Sequence, residues 1–402
     1  MKIVQINSVC GSGSTGRIAQ NISEKLNSLS IENYIFYGVG YSDYKNAIKF
    51  GGRLNVMIHQ LGTRLFGKHG FYSKIATYQL VKKLKKINPD IIHLHNIHGH
   101  YLNIKILFKY LKKINIKIYW TLHDCWAFTG HCAYYDFVKC DKWKTECNTC
   151  PALKDYPKSL FFDRSRESFN EKKELFTSIK DITFITPSKW LADDLKLSFL
   201  KNYPVKVINN GIDLNLFKPT LMNVKDEFEI ANKFLILGVA SVWDRRKGLE
   251  YFIELSNMIS DKEAIILVGL TDDQVANLPN NIIGMKKTNS IKDLAMLYSS
   301  SDVFVNPTLE DNFPTTNLEA LACGTPVITF NTGGSPESVD QKTGIVVTKG
   351  DLNALYKAIE IVRIKSKEFY TDECLLRAKL NYDKNLKFDE YTKMYLADEQ
   401  NS

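Results

Sequence analysis

The sequence predicts an α/β protein made of two doubly wound, parallel-sheet domains. Three observations predict it. Short apolar runs alternate with amphipathic stretches, the alternation restarts in the second half, and 402 residues exceed what one hydrophobic core holds, about 250–300 residues. Continuous apolar strands between amphipathic helices belong to parallel sheets covered on both faces.

Element by element, Lys2–Ile6 reads as a strand, Asn7–Gly16 as a Gly/Ser loop, and Arg17–Leu29 as a helix with Ile18, Ile22, Leu26 and Leu29 at helical spacing. Strands follow at Tyr34–Tyr37, Ile91–Leu94, Ile116–Trp120 and Ile182–Thr186, with helices such as Tyr78–Ile87 and Tyr101–Lys113 between them. The second set comprises strands Phe234–Val239, Ala264–Val268, Asp302–Val305 and Val327–Thr329, with helices Gly248–Ile259, Ser290–Tyr298 and Thr315–Ala322. The pattern breaks around Tyr203–Leu235, at Pro204, Pro219 and a polar run. The expected organisation is therefore 1–204, 205–384, and a C-terminal segment 385–402 whose helix, centred on Phe388–Leu396, packs back on the first domain.

Charge divides the same way. Residues 1–205 carry 31 Lys+Arg against 16 Asp+Glu, and the remainder 22 against 28, within a net +9. All eight histidines precede residue 132. A basic first half suits an anionic partner such as a membrane surface or a diphosphate-linked lipid. Its lysines concentrate on Leu80–Ile87, with an apolar stripe at 80, 84 and 87. Nucleic acid is excluded for want of aromatic–basic stacking surfaces. No run of about 20 apolar residues spans a membrane, and the opening apolar run is too short for a signal peptide. The expectation is a cytoplasmic protein, peripheral on the inner face of the membrane, with reduced cysteines.

Two segments carry anion-binding chemistry. The first, Gly11-Ser12-Gly13-Ser14-Thr15-Gly16, lies between a strand and a helix, where Gly13 and Gly16 allow close approach to a phosphate and the helix N-terminus supplies free N–H groups. The second is gathered from strand ends: Asp244-Arg245-Arg246-Lys247-Gly248 after one strand, and Asn306 to Pro314 after another, followed by Glu319 on the next helix and by Gly333-Gly334. Ligands of open α/β sheets bind at that edge. Arg246 and Lys247 offer charge to a diphosphate, and Asp311 and Glu319 offer acceptors to ribose and sugar hydroxyls.

Together with Pro89-Asp90-Ile91-Ile92-His93-Leu94-His95, Thr121-Leu122-His123-Asp124, Thr186-Pro187-Ser188 and Asn210-Gly211-Ile212-Asp213, these segments make the chain resemble the retaining family-4 glycosyltransferases over nearly its whole length. The resemblance implies the GT-B architecture, two Rossmann-like domains facing across a cleft, and a donor that is a nucleotide sugar. It implies that Asp311 meets the sugar, Glu319 the ribose and Lys247 the diphosphate, with Asn312, Phe313 and Pro314 beside them. It places His123 near the transferred sugar. The family's usual Arg is Val242 here, so Arg245 or Arg246 is expected to supply that charge. No D-x-D pair marks a divalent ion, so catalysis is expected to need no cofactor. Acceptor contacts fall to His98 and His100, with core histidines as the alternative. The acceptor class is a glycan or a polyprenyl-diphosphate-linked oligosaccharide of surface polysaccharide assembly (capsule, exopolysaccharide or lipopolysaccharide). A sugar-nucleotide epimerase on the same fold, and a non-catalytic sugar- or nucleotide-binding protein, are the competing readings.

Cys132, Cys140, Cys147 and Cys150 cluster in a segment after His123-Asp124 that ends in Cys147-Asn148-Thr149-Cys150-Pro151. Closely spaced thiols in a reduced compartment predict a structural zinc site, against plain unliganded thiols. Cys10, Cys323 and Cys374 read as small buried residues, and Cys125 has no evident partner.

Overall fold

The computed structural model describes residues 1–221 and 224–399. The chain forms two compact units, Met1–Ile208 with the chain from Phe388 onward, and Asn209–Lys387.

The first unit holds seven strands: β1 (Lys2–Asn7), β2 (Glu32–Tyr37), β3 (Ala47–Lys49), β4 (Ile91–Leu94), β5 (Lys117–Thr121), β6 (Ile182–Thr186) and β7 (Val205–Val207). All pair in parallel, in the order β3-β2-β1-β4-β5-β6-β7. Its helices are α1 (Gly13–Ser28), α2 (Arg53–Phe66), α3 (Lys74–Ile87), α4 (Ile104–Leu111), α5 (Ser165–Phe176) and α6 (Lys189–Leu197). The second unit holds β8 (Phe234–Val239), β9 (Glu263–Val268), β10 (Ile282–Met285), β11 (Val303–Asn306), β12 (Val327–Phe330) and β13 (Gly344–Val347), again all parallel, in the order β10-β9-β8-β11-β12-β13. Its helices are α7 (Leu249–Ser256), α8 (Asp272–Ala276), α9 (Ile291–Ser300), α10 (Thr315–Ala322), α11 (Leu352–Lys365) and α12 (Glu368–Arg377), and α13 (Lys384–Glu399) follows.

Every residue of β4, β6, β9, β11 and β12 is buried, as a sheet covered on both faces requires. Both strand orders reverse beside the first strand of the sheet, between β1 and β4 and between β8 and β11, where open α/β sheets place their ligands.

The boundary expected at residue 204 is corrected to Ile208/Asn209. Pro204 does not end the first unit. Its carbonyl accepts the Phe184 N–H, and the next three residues form the edge strand β7 on β6. Proline is admissible there because an edge strand has one unpaired side. The first helix also begins earlier than its apolar spacing indicated, at Gly13, because its opening residues carry no apolar marker.

The C-terminal helix packs within the first unit. Phe388, Tyr391, Met394 and Tyr395 of α13 share a core with Ile3, Ile18, Ile22, Leu26 and Tyr119. Two polar ties fix the register. His93 Nδ1 lies 2.5 Å from the Tyr395 hydroxyl, and the Tyr119 hydroxyl donates to the Met394 carbonyl at 3.2 Å. His93 Nε2 meets Thr121 Oγ1 at 2.8 Å, so both nitrogens of this imidazole serve the core. Tyr395→Ala should therefore cost the first unit about 3–5 kcal/mol, as other large-to-small core changes do. Tryptophan fluorescence in urea checks it, because four of the five tryptophans lie in that unit.

Burial holds His59, His69, His93, His95, His100, His123 and His131 below the usual imidazole range, near 3 for His59 and His93 and near 4 for His100, His123 and His131. The unfolded chain therefore takes up protons first, and stability is lost as pH falls from about 6.5 toward 4. The slope is up to about 1.4 kcal/mol per pH unit for each histidine. The second unit has no histidine. Calorimetry between pH 7 and 4.5 should show the first unit's transition moving to lower temperature, and a flat first transition would contradict this account.

Candidate active site

In the second unit the candidate groups stand on the two loops that leave β8 and β11. Asp244 starts a tight turn by accepting the Arg246 N–H at 3.0 Å, and its other oxygen binds the Arg246 guanidinium at 3.2 and 3.3 Å. The Arg246 carbonyl accepts the Leu309 N–H at 2.6 Å and the Thr308 hydroxyl at 3.2 Å, which stitches the β8 loop to the β11 loop. Gly248 has φ +75°, and a Cβ there would lie 2.2 Å from the Pro307 carbonyl oxygen, so the stitch demands glycine. Held this way, Lys247 Nζ reaches Asp311 Oδ2 at 2.5 Å in a partly buried ion pair.

Glu319 sits one turn and more into α10, 8% exposed, and accepts a 3.0 Å hydrogen bond from the Tyr298 hydroxyl of α9. The carboxylate is thus aimed. Glu310, Asn312 and Phe313 are buried. The Phe313 carbonyl accepts from Asn210 Nδ2 at 3.0 Å, and Gly334 N–H donates to the Asp311 carbonyl at 3.3 Å. Pro314 is the residue before the first turn of α10. Below the loop, Asn317 binds Asn306, Ser335 and Ser338, and these buried bonds fix the helix to β11. Val242, where the family's arginine would stand, is an exposed apolar side chain. Arg246 is engaged by Asp244 of its own turn.

In the first unit, a hydrogen-bonded series sets the proton positions of two histidines. Gln5 Nε2 donates to the Ala19 carbonyl at 3.0 Å, which turns Gln5 Oε1 toward His95 Nε2 at 2.9 Å. That nitrogen must carry the proton. His95 Nδ1 is then an acceptor, and it receives His123 Nε2–H at 3.3 Å. Burial lowers His123 to about 4, so it is a neutral imidazole at working pH. Beside it, Asp124 accepts the Trp126 N–H at 2.9 Å and pairs with His98 Nε2 at 2.9 Å. Burial alone would raise Asp124, but the His98 contacts outweigh it and hold the carboxyl below its usual range. His95, His98, His123 and Asp124 line one small cavity at the ends of β4 and β5.

The two histidines expected on the acceptor side, His98 and His100, take different polar partners, although both rings pack against His69 and Tyr156. Both nitrogens of His98 are engaged, by Asp124 and by the Tyr156 hydroxyl at 3.2 Å, so it positions Asp124 rather than presenting a free edge. His100 stands with His59 and His69, the three having ligand atoms within 4.8 Å of one another. His59 spends its Nε2 on the Gly70 N–H at 3.1 Å and its Nδ1 on Ser73 Oγ at 2.7 Å, which marks that trio as a packed structural cluster. Gly13 opens α1 with φ +63° and open space where a Cβ would project, as close anion approach requires. Gly16 is buried, and a Cβ there would crowd Val9 and the Gly11 nitrogen, so it serves the turn itself. The four clustered cysteines line one cavity, with Cys132 and Cys147 buried. Gln5, Asp124, Tyr156, Tyr298 and Lys172 were not singled out from the sequence as site or positioning residues. Only Asp124, next to His123, had a local signal.

Residues 15–216 match the family model described as Glycosyltransferase Family 4, and residues 233–362 match Glycosyl transferases group 1. The chain is 25% identical to WcaC of Escherichia coli (strain K12), a glycosyl transferase whose name assigns it to colanic acid biosynthesis, over 98% of this chain and 99% of that one. Among solved structures it is similar to a sucrose-phosphate synthase from Thermosynechococcus elongatus (TM-score 0.74, 18% identity, all of both chains). It is also similar to Anabaena HepE in complex with UDP-glucose (TM-score 0.67, 15% identity, 99% of this chain and 100% of that one). Those likenesses show the GT-B fold. The chain belongs to glycosyltransferase family 4.

Proposed function

We propose that the protein is a retaining hexosyltransferase. It takes a sugar from a nucleoside-diphosphate donor to a glycan or polyprenyl-diphosphate-linked acceptor in surface polysaccharide assembly. The observation that carries this reading is the set Lys247, Asp311 and Glu319 at one sheet edge, with Glu319 aimed by Tyr298. The relatives support the acceptor class. One, from Campylobacter jejuni, is named as an N-acetylgalactosaminyltransferase acting on a diphospho-undecaprenol sugar, and one from Escherichia coli as a UDP-Gal-dependent galactosyltransferase of the same lipid class.

In this reading Glu319 accepts the ribose hydroxyls, and Lys247 leaves Asp311 to take the donor's diphosphate. Asp311, released, accepts a sugar hydroxyl. The C1–O bond to the diphosphate breaks and its electron pair stays on the phosphate oxygen. The acceptor hydroxyl bonds C1 from the same face, and its proton passes to that phosphate oxygen. Lys247 and the N-terminus of α10 are fixed positive groups where negative charge grows, so protein cations do what a divalent ion does in other transferases.

The membrane reading rests on α2. Leu54, Met57, Ile58, Leu61 and Phe66 project from it with 56–69% exposure. Phe162 stacks on Phe66, Phe161 is exposed beside it, and Arg53, Arg64 and Arg164 border the patch. An apolar helix face bordered by arginines suits an anionic bilayer surface. This face, more than the lysines of α3, is where docking is proposed.

A melting-temperature panel of UDP-, GDP-, ADP- and dTDP-sugars tests the donor site. A ligand at a hundredfold its Kd adds about 2.7 kcal/mol to the native state. One nucleotide should raise the melting temperature selectively, and folded Glu319→Ala and Lys247→Ala should lose both the shift and sugar transfer. Full transfer in either folded variant would sink the assignment. For the membrane surface, the wild type should float with anionic vesicles at low salt and Ile58→Asp/Leu61→Asp should not. Equal binding by both would remove α2 from the account.

A further inference from the structure

Between β5 and α5 the chain runs through residues 122–164 with only one regular element, the short turn Lys142–Lys144. Loops beyond about 12–15 residues without secondary structure need something else to hold them. This one positions chemistry at both ends. Asp124 opens it, and Tyr156 near its close binds His98.

At its centre a cavity is lined by Cys132, Cys140, Cys147 and Cys150, together with His131 and Trp143. Three independent observations point to a ligand there. The Gly130 N–H donates to Cys147 Sγ at 3.2 Å, a bond that favours a thiolate. The His131 ring lines the same cavity, and its buried Nε2 has no hydrogen-bond partner. Lys172 of α5 is wholly buried. Its ammonium is held by the Trp126 and Thr129 carbonyls at 2.8 and 3.1 Å and lies 3.4 Å from the Trp126 ring centroid. A buried ammonium calls for buried negative charge nearby.

We propose that this cavity binds one zinc ion through the sulfurs of Cys132, Cys140, Cys147 and Cys150. Zinc with four thiolates carries a net charge of two minus. Lys172 and the Gly130 N–H are the outer groups that offset it. Binding releases the thiol protons to solvent and needs no redox partner. Among the described residues no three of the sulfurs all stand within 4.8 Å of one another, so loading draws the loop inward. The ion then staples the segment that carries Asp124 and Tyr156. This goes beyond the transferase reading and does not depend on it.

Metal analysis of the full chain, purified without chelator, should find one zinc per folded chain. Replacement by cobalt should give the thiolate-to-metal charge-transfer and visible bands of a tetrahedral four-sulfur centre. Cys125→Ser, a buried thiol outside the cavity, should keep the metal. Lys172→Met should weaken zinc about ten- to a hundredfold by chelator competition while keeping the four-sulfur spectrum. Well-folded wild type with far less than one zinc, an iron–sulfur chromophore, or a three-sulfur, one-nitrogen spectrum that His131→Ala abolishes would each overturn the proposal. Because the wild-type protein supplies the primary readout, a Cys147→Ser variant that fails to fold leaves the test intact.

Discussion

Parallel strands buried on both faces leave chemistry nowhere to go but their ends. In each unit the strand order reverses beside the first strand, and the loops leaving the two central strands part at that point. The candidate groups of the donor-side loops and of the His95–His123 pair are arranged around these two places. The loops after β8 and β11 are tied through one carbonyl, that of Arg246, so Lys247 and Asp311 meet although 64 residues apart in sequence. The loops after β4 and β5 are tied through His95 and His123. A rigid sheet supplies the positions, and a few buried hydrogen bonds supply the orientations.

Orientation is the less visible half of the design. An imidazole or a carboxylate at a strand end is chemically undecided until a neighbour fixes its proton or its angle. Gln5 decides His95, His95 decides His123, and Tyr298 decides Glu319. Each of these partners sets the proton position or the angle of the group that it binds. His98 belongs with them. It was expected to reach an acceptor, but it spends both nitrogens on Tyr156 and Asp124.

This difference explains what was legible in the amino-acid order. The alternation of apolar strands and helices, the acidic and basic groups at strand ends and the returning C-terminal helix are local or periodic features, and all three could be read. The short edge strands β3 and β7 are only partly buried and show no apolar run. Helix α2 misleads a pattern reader because its apolar residues face outward while His59 and Thr63 face in. Partnerships such as Gln5 with His95, 90 residues apart, or Tyr298 with Glu319 from the neighbouring helix, exist only once the sheet is built. The clustering of His59, His69 and His100 was hidden for the same reason.

The placement of α13 bears on how the protein is made. The helix belongs to the core of the first unit, but it follows the whole second unit in the chain. On the ribosome, β1 and α1 emerge first and wait with Ile3, Ile18, Ile22 and Leu26 uncovered on one side until the roughly 360 residues between Ser28 and Phe388 have been synthesised. The second unit, a continuous segment, can mature in that interval. The unit that starts first finishes last, and a nascent chain stalled before residue 388 would carry an exposed apolar seam that chaperones and proteases recognise.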